Sequence, residues 1–210
     1  MAETLSAPHL DKATAVSAIV TLMDKAYIRV GSEKFAQRKE EWVSGPSGKK
    51  QKKEPSFGAS SLRKDQVTVE GDTVRVQFKG KSHKDWDRAV TDPALAKSVK
   101  TFLKGPGDRL FEYKDQSGKS TAVTERDVRE YVATFGGQPK DFRTYHANRL
   151  LAEELAKLPK PTTSGVAEKN LSAAIAKVAV QLGHTAAIDR KSYQDPARMK
   201  AYVESATSPR

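Results

Sequence analysis

Residues 182–196 read LGHTAAIDRKSYQDP, and the rest of the chain is organised outward from them. Gly183 is the residue type that closes a helix in the left-handed conformation, so the apolar spacing before it predicts a helix from about Val166 to Leu182. Pro196 suits the first turn of a following helix, read through Glu204. Upstream, residues 159–164 (PKPTTS) form an internal joint, and periodicity predicts helices over Asp141–Leu158 and, after Thr124 and Asp127, over Val128–Phe135. Asp92 and Pro93 open another helix through Leu103, the Gly-Pro-Gly of 105–107 stops it, and Arg109–Tyr113 reads as a short extended piece. Strand-like alternation is found at Val67, Val69, Val74, Val76 and Phe78 around Gly71-Asp72, a hairpin that turns again at Gly80. Near the N-terminus, Val16, Ile19, Val20, Met23, Ala26 and Tyr27 predict a helix from Asp11 to about Val30 with one buried face. The chain is therefore read as mainly α with a small antiparallel β-sheet, one domain over 11–205 behind a tail at 1–10.

The 210 residues include 37 Lys and Arg against 26 Asp and Glu, a formal charge of +11. That balance is the footprint of a protein working on a polyanion, with nucleic acid the first candidate, although basic proteins of other classes share it. Cysteine is absent, which removes disulfides, thiolate zinc sites and cysteine nucleophiles and suits a cytoplasmic protein. The first 27 residues contain Glu3, and Thr14, Ser17, Thr21 and Asp24 interrupt their apolar run, so no secretion signal or membrane span is expected. Residues 44–56 read as a mobile basic loop carrying Lys49, Lys50, Lys52 and Lys53. Such a loop is either a solvated linker or a contact to a DNA backbone, because flexible ammonium groups neutralise phosphates without fixed geometry.

Tyr193 stands nine residues after His184, with Arg190 and Lys191 beside it. A phenol, with a reference pKa of about 10, is a weak nucleophile at neutral pH, so a catalytic tyrosine needs a site that stabilises charge in the transition state. Taken singly, Tyr193 is a core or surface residue and His184 a helix-end packing residue. Arg63 follows Leu62 in FGASSLRKDQV and Arg143 follows Phe142 in KDFRTYHAN, so apolar neighbours can anchor both backbones and aim both side chains inward. Alone, each arginine reads as a structural salt bridge. Two fixed guanidiniums and an imidazole can hold the charge that phosphoryl transfer gathers on non-bridging oxygens, with no metal. Lys81, just after the Gly80 turn, is either an ordinary turn lysine or the acid that protonates a leaving oxygen.

In order and spacing, over roughly residues 11–205, these segments resemble the catalytic domain of type IB DNA topoisomerases, closest to the small poxviral and bacterial members. The resemblance is carried by IRVG at 28–31 with the following SEKFA, SSLRKDQV, the hairpin ending FKGKS, GPGDRLFEY, KDFRTYHAN and LGHTAAIDRKSY. It implies the fold shared by tyrosine recombinases and type IB topoisomerases, with Tyr193 joined to the 3′ end of the cut strand. It further implies that Arg63, Arg143 and His184 stabilise the transition state and that Lys81 protonates the departing 5′ oxygen. Rotation of the free end and the reverse attack then relax supercoils without ATP, metal or any other cofactor. The implied partner is duplex DNA, bound by a monomer through Lys49, Lys50, Lys52, Lys53, Arg190 and Lys191, in a chromosome-associated protein with no membrane attachment. Family members carry an N-terminal lobe that completes a clamp around DNA, and the expectation here is a catalytic domain without it.

Two other readings stay open. A tyrosine recombinase or integrase shares the fold, the nucleophile and an LGH segment at this distance, but usually has a histidine three residues before its second arginine, where this chain has Lys140. A DNA-binding module, or a half-enzyme inactive without its missing lobe, would use the positive face alone.

Overall fold

Helix α1 (Lys12–Lys25) starts where the Asp11 carboxylate accepts the Thr14 N–H at 2.7 Å. Every residue from Thr14 to Met23 is buried, so the helix runs through the core and does not lie on it with one face. Its polar positions adapt to burial, Thr21 returning its hydroxyl to the Ser17 carbonyl at 2.9 Å. The helix ends short of Val30 because Tyr27 takes a φ of 58°, a left-handed conformation that no helix continues through.

The computed structural model describes residues 11–37, 39–44 and 50–206; the tail at 1–10 and Lys49 lie outside the described residues. The chain forms two compact units, divided between Pro139 and Lys140. In the first, a short helix α2 (Glu33–Ala36) precedes strands β1 (Glu41–Ser44) and β2 (Lys50–Lys53), which pair antiparallel from Glu41 opposite Lys53 to Ser44 opposite Lys50. The segment read as a basic loop is thus partly a β-ribbon, with Lys50, Lys52 and Lys53 on β2. A Lys-Gln-Lys-Lys run has no apolar alternation to announce a strand.

The main sheet has strands β3 (Val67–Glu70), β4 (Thr73–Lys79) and β5 (Asp85–Thr91) in that order, all antiparallel. Gly71, at φ 56°, lets the first hairpin close in two residues between Glu70 and Thr73. Val74, Val76 and Phe78 alternate inward along β4 as read from the sequence. Strand β5 is an addition to that reading: of its inward positions Trp86, Arg88 and Val90, the middle one is charged, and its guanidinium lies 5.1 Å from the Trp86 ring. Helix α3 (Pro93–Leu103), capped by Asp92 on the Leu95 N–H at 2.9 Å, packs against β3, β4 and α1. A ribbon of β6 (Glu112–Lys114) and β7 (Ser120–Ala122) leads to α4 (Glu125–Ala133), which Thr124 and Asp127 start as a reciprocal capping box.

The second unit is helical: α5 (Pro139–Ala156), α6 (Ser164–Gln181), α7 (Ala186–Ser192) and α8 (Pro196–Glu204). In α6, Ala167, Leu171, Ala174, Ile175, Val178 and Ala179 form one buried stripe at helical spacing. The seven-residue α7, capped by Thr185 on the Ile188 N–H, is too short for its periodicity to be read and holds one aliphatic side chain larger than alanine, Ile188, which is exposed. Among the described residues no single helix is long and apolar enough to cross a membrane.

Candidate active site

The buried face of α5 begins with a charge. Arg143, His146, Ala147, Leu150, Leu151 and Glu154 follow one another at three- and one-residue steps, so the stripe that buries two leucines also buries the Arg143 guanidinium, only 3% exposed. The anchor expected from the sequence, Phe142, is only half-buried, and Arg143 itself faces the core. A guanidinium without water must find acceptors. Arg143 Nη2 donates to the Leu182 carbonyl, left open at the end of α6, and to His184 Nδ1 at 2.8 Å.

Gly183, at φ 65°, turns the chain as α6 ends, and the buried His184 follows immediately. Its other nitrogen, Nε2, lies 2.8 Å from Asp189 Oδ2, and its ring stacks on that of Tyr193 with centroids 4.9 Å apart and planes 13° from parallel. Tyr193 caps the C-terminus of α7 and is 7% exposed. Two cations face its ring, with Arg143 Cζ 5.5 Å and Lys140 Nζ 5.8 Å from the centroid. Asn148, one turn beyond Arg143 on α5, clamps the backbone that carries the phenol: Nδ2 donates to the Tyr193 carbonyl at 2.7 Å and Oδ1 accepts the Asp195 N–H at 2.9 Å.

Arg143, His184 and Tyr193 are therefore brought together within one unit. Sequence reading missed Asp189, Gln194 and Asn148 as parts of this cluster. The one available signal was a lone acid five residues after a histidine. Arg190, expected at DNA, turns back toward α6, with Nη2 3.3 Å from Ser172 Oγ and 3.7 Å from Glu168 Oε2. Lys191 is exposed.

Arg63 and Lys81 belong to the first unit, where backbone holds them. Arg63 is half-buried; it bridges Arg109, its flanks bond to that strand through Leu110 N–H to Leu62 O at 2.9 Å and Lys64 N–H to Asp108 O at 3.0 Å, and its guanidinium lies 5.8 Å from the Phe57 ring. Arg109 is itself held by Glu33 and the Ser60 carbonyl; burial lowers its pKa, opposed by Glu112. Lys81 is exposed on a tight turn between β4 and β5 in which Ser82 and His83 both take positive φ, 62° and 55°. The turn is closed by the Gly80 N–H on the Lys84 carbonyl at 2.8 Å, and His83 Nε2 accepts the Glu54 N–H at 3.2 Å. Phe57 N–H donates to the Lys79 carbonyl at 2.8 Å, so residues 54–57 support both Arg63 and the Lys81 turn. Among the described residues no group of three or more His, Cys, Asp or Glu side chains is placed to hold a metal ion.

The family model of the eukaryotic DNA topoisomerase I catalytic core matches residues 2–208. The chain belongs to this family. It is 30% identical to DNA topoisomerase 1B of Acanthamoeba polyphaga mimivirus over 198 residues, 89% of this chain and 54% of that protein. It is also 30% identical to DNA topoisomerase 1 of Caenorhabditis elegans over 173 residues and 32% identical to DNA topoisomerase 1 of Schizosaccharomyces pombe over 115 residues. These alignments cover 80% and 51% of this chain but 20% and 13% of those proteins, so the chain spans about half or less of the relatives it matches.

Proposed function

We propose that this chain carries the strand-breaking and rejoining centre of a type IB DNA topoisomerase, with Tyr193 as nucleophile. The observation that carries the reading is a phenol stacked on His184 with the Arg143 guanidinium 5.5 Å from its ring, in a chain of the topoisomerase I catalytic-core family. The Tyr193 phenol gives up its proton to solvent as its oxygen attacks a backbone phosphorus, the bond to the 5′ oxygen breaks, and a 3′-phosphotyrosine forms. Arg143 supplies guanidinium charge to the non-bridging oxygens, the role that the family resemblance also gives Arg63. His184 takes its share in stabilising the transition state beside Arg143, which its Nδ1 faces at 2.8 Å. Lys81 gives the departing oxygen its proton. The phosphotyrosine conserves the energy of the broken bond, so the reverse attack by the 5′ hydroxyl reseals the strand with no ATP. Acting on duplex DNA, the protein works at the chromosome.

The test mixes the chain with duplex DNA labelled on the 5′ side of the expected nick, using a nicked suicide substrate to trap the adduct, and quenches in detergent. Label shifted to protein mass in wild type and absent in Tyr193→Phe establishes covalent 3′ attachment. A shift that survives Tyr193→Phe removes Tyr193 as nucleophile. Bound DNA with no adduct in wild type shows that this chain alone is the DNA-binding half of the enzyme.

A further inference from the structure

We infer that Asp189 is a positioning residue whose buried carboxylate fixes His184 in the one tautomer that lets the ring hold Arg143 beside Tyr193. The inference rests on the cleavage role proposed above for Arg143 and Tyr193. A guanidinium has only donors and a carboxylate only acceptors. Arg143 Nη2 stands 2.8 Å from His184 Nδ1, so Nδ1 presents its lone pair. Asp189 Oδ2 stands 2.8 Å from Nε2, so Nε2 carries the hydrogen. A proton on Nδ1 would instead confront the guanidinium donor at hydrogen-bond distance.

Asp189 has no exposed surface, and a carboxylate at such a position is costly unless its bonds are specific. They are. Oδ1 accepts Gln194 Nε2 at 2.5 Å, and Gln194 Nε2 also reaches the Ala147 carbonyl on α5 at 3.1 Å. The Asp189 carbonyl accepts the N–H groups of Tyr193 and Gln194 at 3.0 and 3.2 Å. One residue is thus tied by its side chain to the ring that stacks on the phenol and by its backbone to the phenol's own residue. An apolar residue of that size would fill the space but would leave the tautomer of His184 and the direction of its lone pair unset.

The experiment pairs two readouts on the full chain in wild type, Asp189→Ala and Asp189→Asn. The first is the imidazole tautomer, read from long-range proton–nitrogen correlations of 15N-labelled protein with His184→Gln for assignment. The second is single-turnover phosphotyrosine formation on a suicide duplex, with DNA affinity measured alongside. Expected in wild type is the Nε2–H form. In Asp189→Ala a mixture with Nδ1–H appears, and cleavage slows on the order of 10- to 100-fold at unchanged affinity, the range for losing a group that orients a metal-bound histidine, taken here as the scale. Asp189→Asn, matched in shape and chosen to keep the fold, retains one acceptor for two donors and falls between. A wild-type tautomer in both variants, unchanged cleavage, or slowing that follows weaker DNA binding overturns the inference. Wild type that forms no adduct sinks the cleavage reading instead, and the tautomer comparison then decides for or against Asp189 by itself.

Discussion

Lys81 and Arg143 sit in units that hold a cation in opposite ways. Lys81 is exposed, on a turn kept in shape by backbone: two residues at positive φ and a Gly80 to Lys84 hydrogen bond. Arg143 is buried, on a regular helix, and its head is kept in place by other side chains and one open carbonyl. A group held by backbone is changed without disturbing its frame. A group held by side chains is part of the frame, so the same kind of substitution should read out differently in the two units.

The largest effect is expected at Lys81. Lys81→Ala should slow cleavage of an ordinary phosphodiester on the order of 10²- to 10⁴-fold, the span of general acid catalysis, while thermal unfolding stays at the wild-type midpoint. A substrate with sulfur in place of the leaving 5′ oxygen departs without a proton and should restore most of the rate. Equal slowing on both substrates would remove Lys81 as the acid.

Next comes Arg143→Lys, which keeps the charge and loses the planar fork. One ammonium in this place cannot repeat the guanidinium's contacts to the Leu182 carbonyl and His184 Nδ1 from the same distance. Single-turnover cleavage should fall by about 10²- to 10³-fold, the cost of losing a preorganised donor, and here the urea midpoint should fall with it. Cleavage lost at wild-type stability would mean that Arg143 is not part of the packing, contrary to the contrast with Lys81.

The same contrast explains what the sequence disclosed. Elements that start and stop by local chemistry were legible: Asp92-Pro93 opens α3, Thr124 and Asp127 open α4, and Pro196 opens α8, through Glu204 as read. Elements defined by pairing or by neighbours were not: β2 lacks apolar residues, β5 has Arg88 where alternation calls for an apolar side chain, and α7 is too short for a period. At the site, residue types with unusual chemistry stood out, and Arg143, His184 and Tyr193 are indeed gathered. Their supports are ordinary polar residues in the sequence: Asp189 and Gln194 matter once burial removes water from them, and the half-buried Asn148 once the fold sets it against the Tyr193 backbone.

A backbone-held turn should be vulnerable to changes that alter its path. Gly80→Ala would place a Cβ 2.5 Å from Trp86 Cδ1 and Nε1, and Trp86 cannot retreat because it is buried opposite Phe78 in the sheet, their rings stacked with centroids 6.2 Å apart. We expect a loss of about 1–3 kcal/mol in urea unfolding, as for an overpacked core, together with slower cleavage as Lys81 moves. Unchanged stability would show that the turn adapts more readily than its two positive φ angles imply.

The smallest effect belongs to a charge that is neither fully exposed nor buried. Asp127 accepts the Thr124 N–H at 2.8 Å and its hydroxyl at 2.6 Å, and pairs with Lys12 on α1 at 2.5 Å. Partial burial pushes its pKa up, but the bonds from Lys12 and Thr124 outweigh that, and the net value is lowered from 3.8. Because the folded carboxyl ionises more readily than the unfolded one, its contribution is complete above 3.8 and is lost as pH falls through the lower folded value. Asp127→Asn should cost about 1 kcal/mol after allowance for the half-exposed Lys12. Urea midpoints of the two proteins should therefore differ at about pH 6 and draw together as pH falls below 3.8. The Asn variant has no proton to exchange at this site, so a gap that stays constant across that range would assign the stabilisation to the shape of the cap and not to its charge.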